Sequence, residues 1–179
     1  DGFDLLDMAA GLGADVPFSM QGGAAIGTGN GSRLTAVEDV REVHLVLIFD
    51  DGGLSTPAVY RKLDELRAAR GENPTQVAEP TISRSMIRAL QNGNPFDLAT
   101  SMHNDLEEAA LALRPDLQKV IDVALELGAI RAMVSGSGPT VMALTGSAAG
   151  AAFLVEQLTK RGLKAIAVSG PDRGAELVD

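Results

Sequence analysis

Asp15 is the acid whose surroundings best suit chemistry. It lies in GLGADVPF (11–18), between a glycine-rich turn and Val16-Pro17, in a segment flanked by apolar residues. A carboxylate placed there either caps a turn or acts as a base positioned against a substrate proton. Spacing by itself favours the cap, because a short acidic side chain readily bonds its own backbone. Three glycine-rich segments stand out: GLGAD (11–15), GTGNG (27–31) and SGSGP (135–139). Glycine makes up 20 of 179 residues, above the average of about 7%. Without a Cβ, backbone N–H groups can converge on an anion such as a phosphate, and this needs no positive net charge. The competing reading of each segment is a plain tight turn. For GTGNG, in a hairpin context, the turn is the stronger reading. For SGSGP, where two serine hydroxyls stand between two apolar strands, a ligand-facing loop and a turn weigh equally.

Other chemistries lose their signatures. GxxxxGK[ST], HExxH, GxSxG and an EF-hand loop are all missing from the sequence, which argues against a P-loop NTPase, a zincin and an α/β-hydrolase. The chain has 2 histidines, His44 heading a predicted strand and His103 preceding a predicted helix. Both read as surface or capping residues, and no metal site is expected. With no cysteine, disulfides, Cys-ligated zinc, iron–sulfur clusters and a thiol nucleophile are excluded, and a reducing cytosol fits. Acidic residues outnumber basic ones 24 to 15, for a formal charge of -9, and the basic residues are not segregated, so nucleic acid and anionic membranes are poor partners. Aromatic residues are 3% of the chain, too few to stack bases as single-strand binders do. The longest apolar run, Leu45 to Phe49, is strand-sized, far short of the roughly 18 residues of a membrane span. The expectation is a soluble, cytoplasmic chain.

The elements that would position these residues follow from periodicity. At about 150 residues per domain, the length fits one large or two small domains. Gly2 to Gly11 has helical spacing and no signal-peptide character, so the chain is expected to begin inside a domain. GLGADVPF should turn into a loop, since the X-Pro pair disfavours helix. Two short strands, AAIGTG and SRLTAVE, flank Asn30-Gly31, a tight-hairpin dipeptide, and charged Glu38 to Glu42 marks a boundary between lobes. His44 to Asp50 is a buried-type strand, and Thr56-Pro57 starts a helix to about Arg70. Further helices are predicted at 82–91, 95–101, 104–113 and 115–127, after a polar loop over Gly71–Pro80. A strand at 129–134, the SGSGP loop, a strand at 140–145, a helix at 147–161 and a strand at 163–169 complete the order, and Gly170 to Asp179 reads as a polar, frayed tail. Strand, helices, strand, strand, helix, strand is the split βαβ, ferredoxin-like pattern of an α+β lobe, with extra helices inserted in its first crossover.

GLGADVPF (11–18), GTGNGSRL (27–34), GLSTPAVY (53–60), NDLE (104–107) and SGSGPTV (135–141), in this order and spacing, resemble the 4-diphosphocytidyl-2-C-methyl-D-erythritol kinases, a branch of the GHMP small-molecule kinases. SGSGPT alone is GHMP-like, whereas GADVPF together with STPxxY is specific to the branch. The resemblance implies the end of a GHMP N-terminal lobe (1–41) followed by the C-terminal lobe (42–170) and a polar tail (171–179). It implies a kinase that uses ATP and Mg2+ to phosphorylate the 2-hydroxyl of the methylerythritol moiety, in the non-mevalonate route to isoprenoid precursors. It puts the catalytic aspartate on Asp15, reversing the preference for a cap. It puts Thr56 and Tyr60 around the cytidine, where a ring can stack on cytosine, and Gly136, Ser137 and Gly138 in a loop close to the phosphates and the acceptor. Asn104 to Glu107 are expected to cap and orient a helix rather than touch substrate. The family's serine-rich ATP phosphate loop and the lysine that pairs with its aspartate have no counterpart in these residues, so they are not expected to turn over substrate alone. Homoserine or mevalonate kinases are the alternatives within the superfamily, and a non-catalytic ferredoxin-like ligand-binding module is the alternative outside it.

Overall fold

The computed structural model of the protein describes residues 5–73, 76–77, 81 and 83–176. The predicted helix starts at Gly2 and Ile82, part of the Gly71–Pro80 loop and the end of the tail lie outside these residues.

The chain opens with helices α1 (Leu5–Leu12) and α2 (Val16–Gln21) and a hairpin of β1 (Ala25–Thr28) and β2 (Arg33–Ala36). α2 corrects the loop expected after GLGADVPF. Pro17 sits in its first turn, where its missing N–H would have had no intrahelical partner and its fixed φ suits a helix. The hairpin forms as expected, but Thr28 pairs with Arg33, leaving residues 29–32 as a longer loop. Gly29 and Gly31 take the positive φ values, and the Asn30 side chain instead accepts a hydrogen bond from the Ser32 N–H at 3.2 Å.

From β3 (Val43–Phe49) the chain runs through α3 (Thr56–Ala69), α4 (Arg84–Asn92), α5 (Pro95–Ser101), α6 (Glu107–Leu113) and α7 (Asp116–Glu126) to β4 (Arg131–Val134). β5 (Val141–Thr145), α8 (Ala148–Lys160) and β6 (Lys164–Gly170) follow. The strands make one antiparallel sheet in the order β4-β5-β3-β6, the ferredoxin-like arrangement read from the sequence.

The period of two along the strands sends alternate side chains to opposite faces. Val46, Ile48, Val134, Val141 and Ala143 enter the main core with Val59 and Leu63 of α3, Leu117 and Ile121 of α7 and Leu154 and Leu158 of α8. Leu45 and Leu144 face the other way, against Ala89 of α4 and Leu98 of α5. The inserted helices therefore divide: α4 and α5 cover one face of the sheet, while α3, α6 and α7 share the other with α8. α6 contributes Ala109 and Ala110 to the main core, both fully buried, and residues this small bring its backbone close to its neighbours.

The tail is not frayed over its described part. Arg173 bridges to Gly22, the Ala175 N–H donates to the Ser19 carbonyl at 3.2 Å, and a Cβ on Gly174 would lie 2.0 Å from the Met20 carbonyl oxygen. Residues 171–176 thus tie the end of β6 to α2.

Candidate active site

The site begins where β3 gives way to α3. Ser55 precedes the helix in an extended conformation, Thr56 opens it, and Pro57 lies in its first turn. The intervening segment is fastened from the α6–α7 corner. The Arg114 guanidinium lies 3.0 Å from Asp50 and 2.6 Å from Asp116 and donates to the Gly52 carbonyl. Asp50 also accepts the Gly52 N–H at 2.7 Å. Hydrogen bonds to Asp116 and Asp50 hold the guanidinium above its ordinary value, and the bond to Arg114 holds the Asp116 carboxyl below its own. Arg114 therefore fixes the approach to Thr56 as a charged clasp.

The SGSGP loop joins β4 to β5. The Ser135 N–H donates to the Thr140 carbonyl at 2.8 Å and the Gly138 N–H to the Ser135 carbonyl at 2.9 Å, closing a reverse turn. Gly136 and Gly138 have φ values of 55° and 77°, a region that L side chains rarely adopt. A Cβ on Gly138 would stand 3.0 Å from Val134 Cγ1 and 3.3 Å from Leu54 Cδ2, whereas around Gly136 there is open space. Gly138 seats the loop on the core, and Gly136 lets it turn outward.

These two segments meet. Thr56 Oγ1 and Ser137 Oγ are 2.8 Å apart across 81 residues of sequence. Tyr60 lies four positions beyond Thr56, on the same face of α3, and is 55% exposed. The structure thus brings together Thr56, Tyr60 and the Gly136–Gly138 turn.

Asp15 is not joined to this group by any hydrogen bond among the described residues. It occupies the N-cap position of α2, yet its side chain makes no capping bond. The reasons are local. Its backbone is already helical (φ -88°, ψ -13°), whereas a capping side chain usually needs an extended backbone. Pro17 near the helix start also offers no N–H. Its carbonyl accepts from Ser19, and its carboxylate is exposed and without a hydrogen-bond partner among the described residues. The cap that spacing favoured does not form.

Sequence reasoning missed two supports. Arg114 gave no signal beyond its place before Pro115. Asn104 was expected to orient a helix, and its Oδ1 does accept the Leu106 N–H at 3.0 Å, but its Nδ2 also donates to the carbonyls of Val134 and Gly136, at 2.9 and 2.8 Å. That local turn explains why α6 starts at Glu107 rather than at 104. His103 lies 2.7 Å from Asp105, and His44 lies 4.0 Å from Glu42. No group of three or more His, Asp or Glu side chains suited to hold a metal occurs among the described residues, and no helix among them is long and apolar enough to cross a membrane.

Residues 86–164 match the family model for the C-terminal domain of GHMP kinases. The chain is 42% identical over 176 residues to the 4-diphosphocytidyl-2-C-methyl-D-erythritol kinase of Paenarthrobacter aurescens (strain TC1), covering 98% of this chain and 55% of that protein. A crystal structure of a 4-(cytidine 5'-diphospho)-2C-methyl-D-erythritol kinase superimposes with a TM-score of 0.74 at 29% identity, over 93% of this chain and 56% of the other. A homoserine kinase from Cytophaga hutchinsonii shares the fold at a TM-score of 0.58 and 16% identity, over 88% of this chain and 51% of the other. The chain spans about half the length of the curated relatives it matches.

Proposed function

We propose that this chain is the C-terminal part of an ATP-dependent kinase that phosphorylates the 2-hydroxyl of 4-diphosphocytidyl-2-C-methyl-D-erythritol in the cytoplasm. In this reading residues 1–41 finish the N-terminal domain and 42–170 form the C-terminal one. The observation that carries it is the 2.8 Å contact between Thr56 and Ser137, which joins the branch-specific STPxxY motif to the GHMP-wide SGSGP motif in one corner. Similarity to named kinases of this substrate along nearly the whole chain supports the same substrate.

Each residue then has a task. The exposed ring of Tyr60 stacks on cytosine, and Thr56 fixes the sugar side of the nucleotide or the loop beside it. The turn at Gly136, Ser137 and Gly138, closed by the Gly138 N–H on the Ser135 carbonyl, presents the Gly136 and Ser137 N–H groups and the Ser137 hydroxyl, donors suited to phosphate oxygens. Asp15 orients the substrate hydroxyl or takes its proton as the oxygen attacks the γ-phosphorus of ATP and ADP departs. The donors of the SGSGP turn fit the phosphates of ATP. Mg2+, when bound, would supply charge neutralisation and would be held mostly by nucleotide phosphates with one or two carboxylates. Neither nucleic acid nor membrane enters the scheme.

A substrate panel on the full-length protein tests the proposal. With ATP and Mg2+, 4-diphosphocytidyl-2-C-methyl-D-erythritol should be phosphorylated at least about 100-fold more efficiently than homoserine or mevalonate, the margin a site built around specific polar contacts affords. Preference for either of the others would move the chain elsewhere in the superfamily, and no phosphoryl transfer to any of them would favour the binding module.

A further inference from the structure

We infer that Asn104 and Glu107 are positioning residues that hold the SGSGP turn in its working shape; the inference rests on the kinase reading for its effect on turnover, though not for its effect on the loop.

The geometry is unusually complete for one short segment. Asn104 Nδ2 reaches the carbonyl of Val134, the last residue of β4, at 2.9 Å and the carbonyl of Gly136 at 2.8 Å, while Oδ1 accepts from the Leu106 N–H at 3.0 Å. Two carbonyls accept only and an N–H donates only, so the amide has a single orientation that satisfies all three. Three residues on, Glu107 Oε2 accepts the Val134 N–H at 2.7 Å. Both side chains thus grip the β4 exit, one on each polar group of Val134, and Asn104 reaches into the turn itself.

The turn needs such support. Gly136 is exposed, has φ 55°, and nothing lies within 4 Å of the place a Cβ would take. Beyond Gly136, the turn is tied at Ser137 to Thr56 and at Gly138 to Ser135. The Asn104 bond to the Gly136 carbonyl is the one that spans from α6 to the outward-facing residue. α6 therefore does more than cap itself: through Asn104 and Glu107 at its start and Arg114 just beyond its end, it sets the positions of both segments that meet at Thr56 and Ser137.

Asn104→Asp separates the two roles. Aspartate serves as a helix-terminal acceptor as well as asparagine does, and a negative charge near a helix N-terminus is favourable, so a residue that only oriented α6 would be replaced without loss. As a clamp it fails, because a carboxylate oxygen would face two carbonyl oxygens and no donor would remain. In the full-length protein, Asn104→Asp should lower kcat at least about 10-fold, within the range that an ångström of misplacement costs, while KM for the cytidine substrate stays within about threefold. Glu107→Ala should act in the same direction, and Glu107→Gln, which keeps an acceptor for Val134, should recover most of the loss. Amide hydrogen exchange supplies a readout independent of activity: protection of the Ser135 and Gly138 amides should fall about 10-fold in Asn104→Asp, with the Ala110 amide in α6 unchanged. Unchanged loop protection would overturn the clamp. Lost protection with wild-type turnover would overturn the positioning role. A wild-type protein without kinase activity would count against the functional reading alone, leaving the clamp to be judged by exchange.

Discussion

The Thr56–Ser137 corner and the Asp15 loop differ in how they are held. At the corner, side chains from elsewhere in the fold hold the backbone: Asn104 and Glu107 grip the β4 exit, Arg114 clasps residues 50–52, and the two hydroxyls meet at 2.8 Å. Asp15 has a helical backbone at a helix start, an exposed carboxylate and no side-chain hydrogen bond among the described residues. Under the proposed function, the contrast matches a difference in the work of the two parts. A surface that must recognise a nucleotide benefits from being fixed before the ligand arrives, since ordering it on binding costs affinity. A carboxylate meant to meet a proton gains nothing from a structural bond that competes for its oxygens.

That division is breakable in a definite order. The largest effect is expected at Asp15. Asp15→Asn removes charge from a side chain that caps nothing, so thermal stability should stay near wild type while turnover of the full-length protein falls about 100-fold to 10,000-fold, the range for general-base work. A large drop in melting temperature with near-normal turnover would assign Asp15 to structure instead.

The next effect is at Tyr60. Its ring is more than half exposed, so Tyr60→Ala should leave stability nearly unchanged but weaken the cytidine substrate by about 1 to 3 kcal/mol, the worth of a base stacked on an aromatic side chain. Tyr60→Phe should be close to neutral, and ATP affinity should move in neither variant. Equal losses in Phe and Ala would point to the hydroxyl rather than the ring.

The smallest effect is at Thr56. Thr56→Val keeps the shape and removes one hydroxyl from the pair with Ser137, so stability should fall by about 1 kcal/mol, a typical net value for one hydrogen bond. Thermal or denaturant unfolding would read this directly, and a loss well above that value would mean that the pair holds the corner together by itself.

The legibility of these regions in sequence differs for physical reasons. The strands at 44–50 and 140–145 are readable in the sequence, within a residue of the observed Val43–Phe49 and Val141–Thr145, because alternate residues serve two buried faces. The helix from Thr56 was readable from its threonine-proline start. Residues that act locally were therefore visible. Val16-Pro17 misled because a proline that breaks a helix interior is at ease in a first turn. In the same way, Asn30-Gly31 suggests a two-residue turn, but the pairing stops one residue short of it on each strand, at Thr28 and Arg33. The supports of the corner were invisible for another reason: Asn104 acts on residues 30 and 32 positions away, and Arg114 acts on Asp50 from 64 positions away. No local pattern carries such contacts. Of the motif NDLE, spacing reveals only the helix-orienting half.

The division of labour is tested most directly by equilibrium binding of cytidine 5'-diphosphate, which presents the base and phosphates without the reacting hydroxyl, to the full-length protein and its Asp15→Asn and Tyr60→Ala variants. Asp15→Asn should bind within about threefold of wild type, while Tyr60→Ala should bind about 5-fold to 150-fold more weakly, the equivalent of the stacking energy. Comparable loss of binding in Asp15→Asn would contradict the account, because the free carboxylate would then belong to recognition and not to phosphoryl transfer.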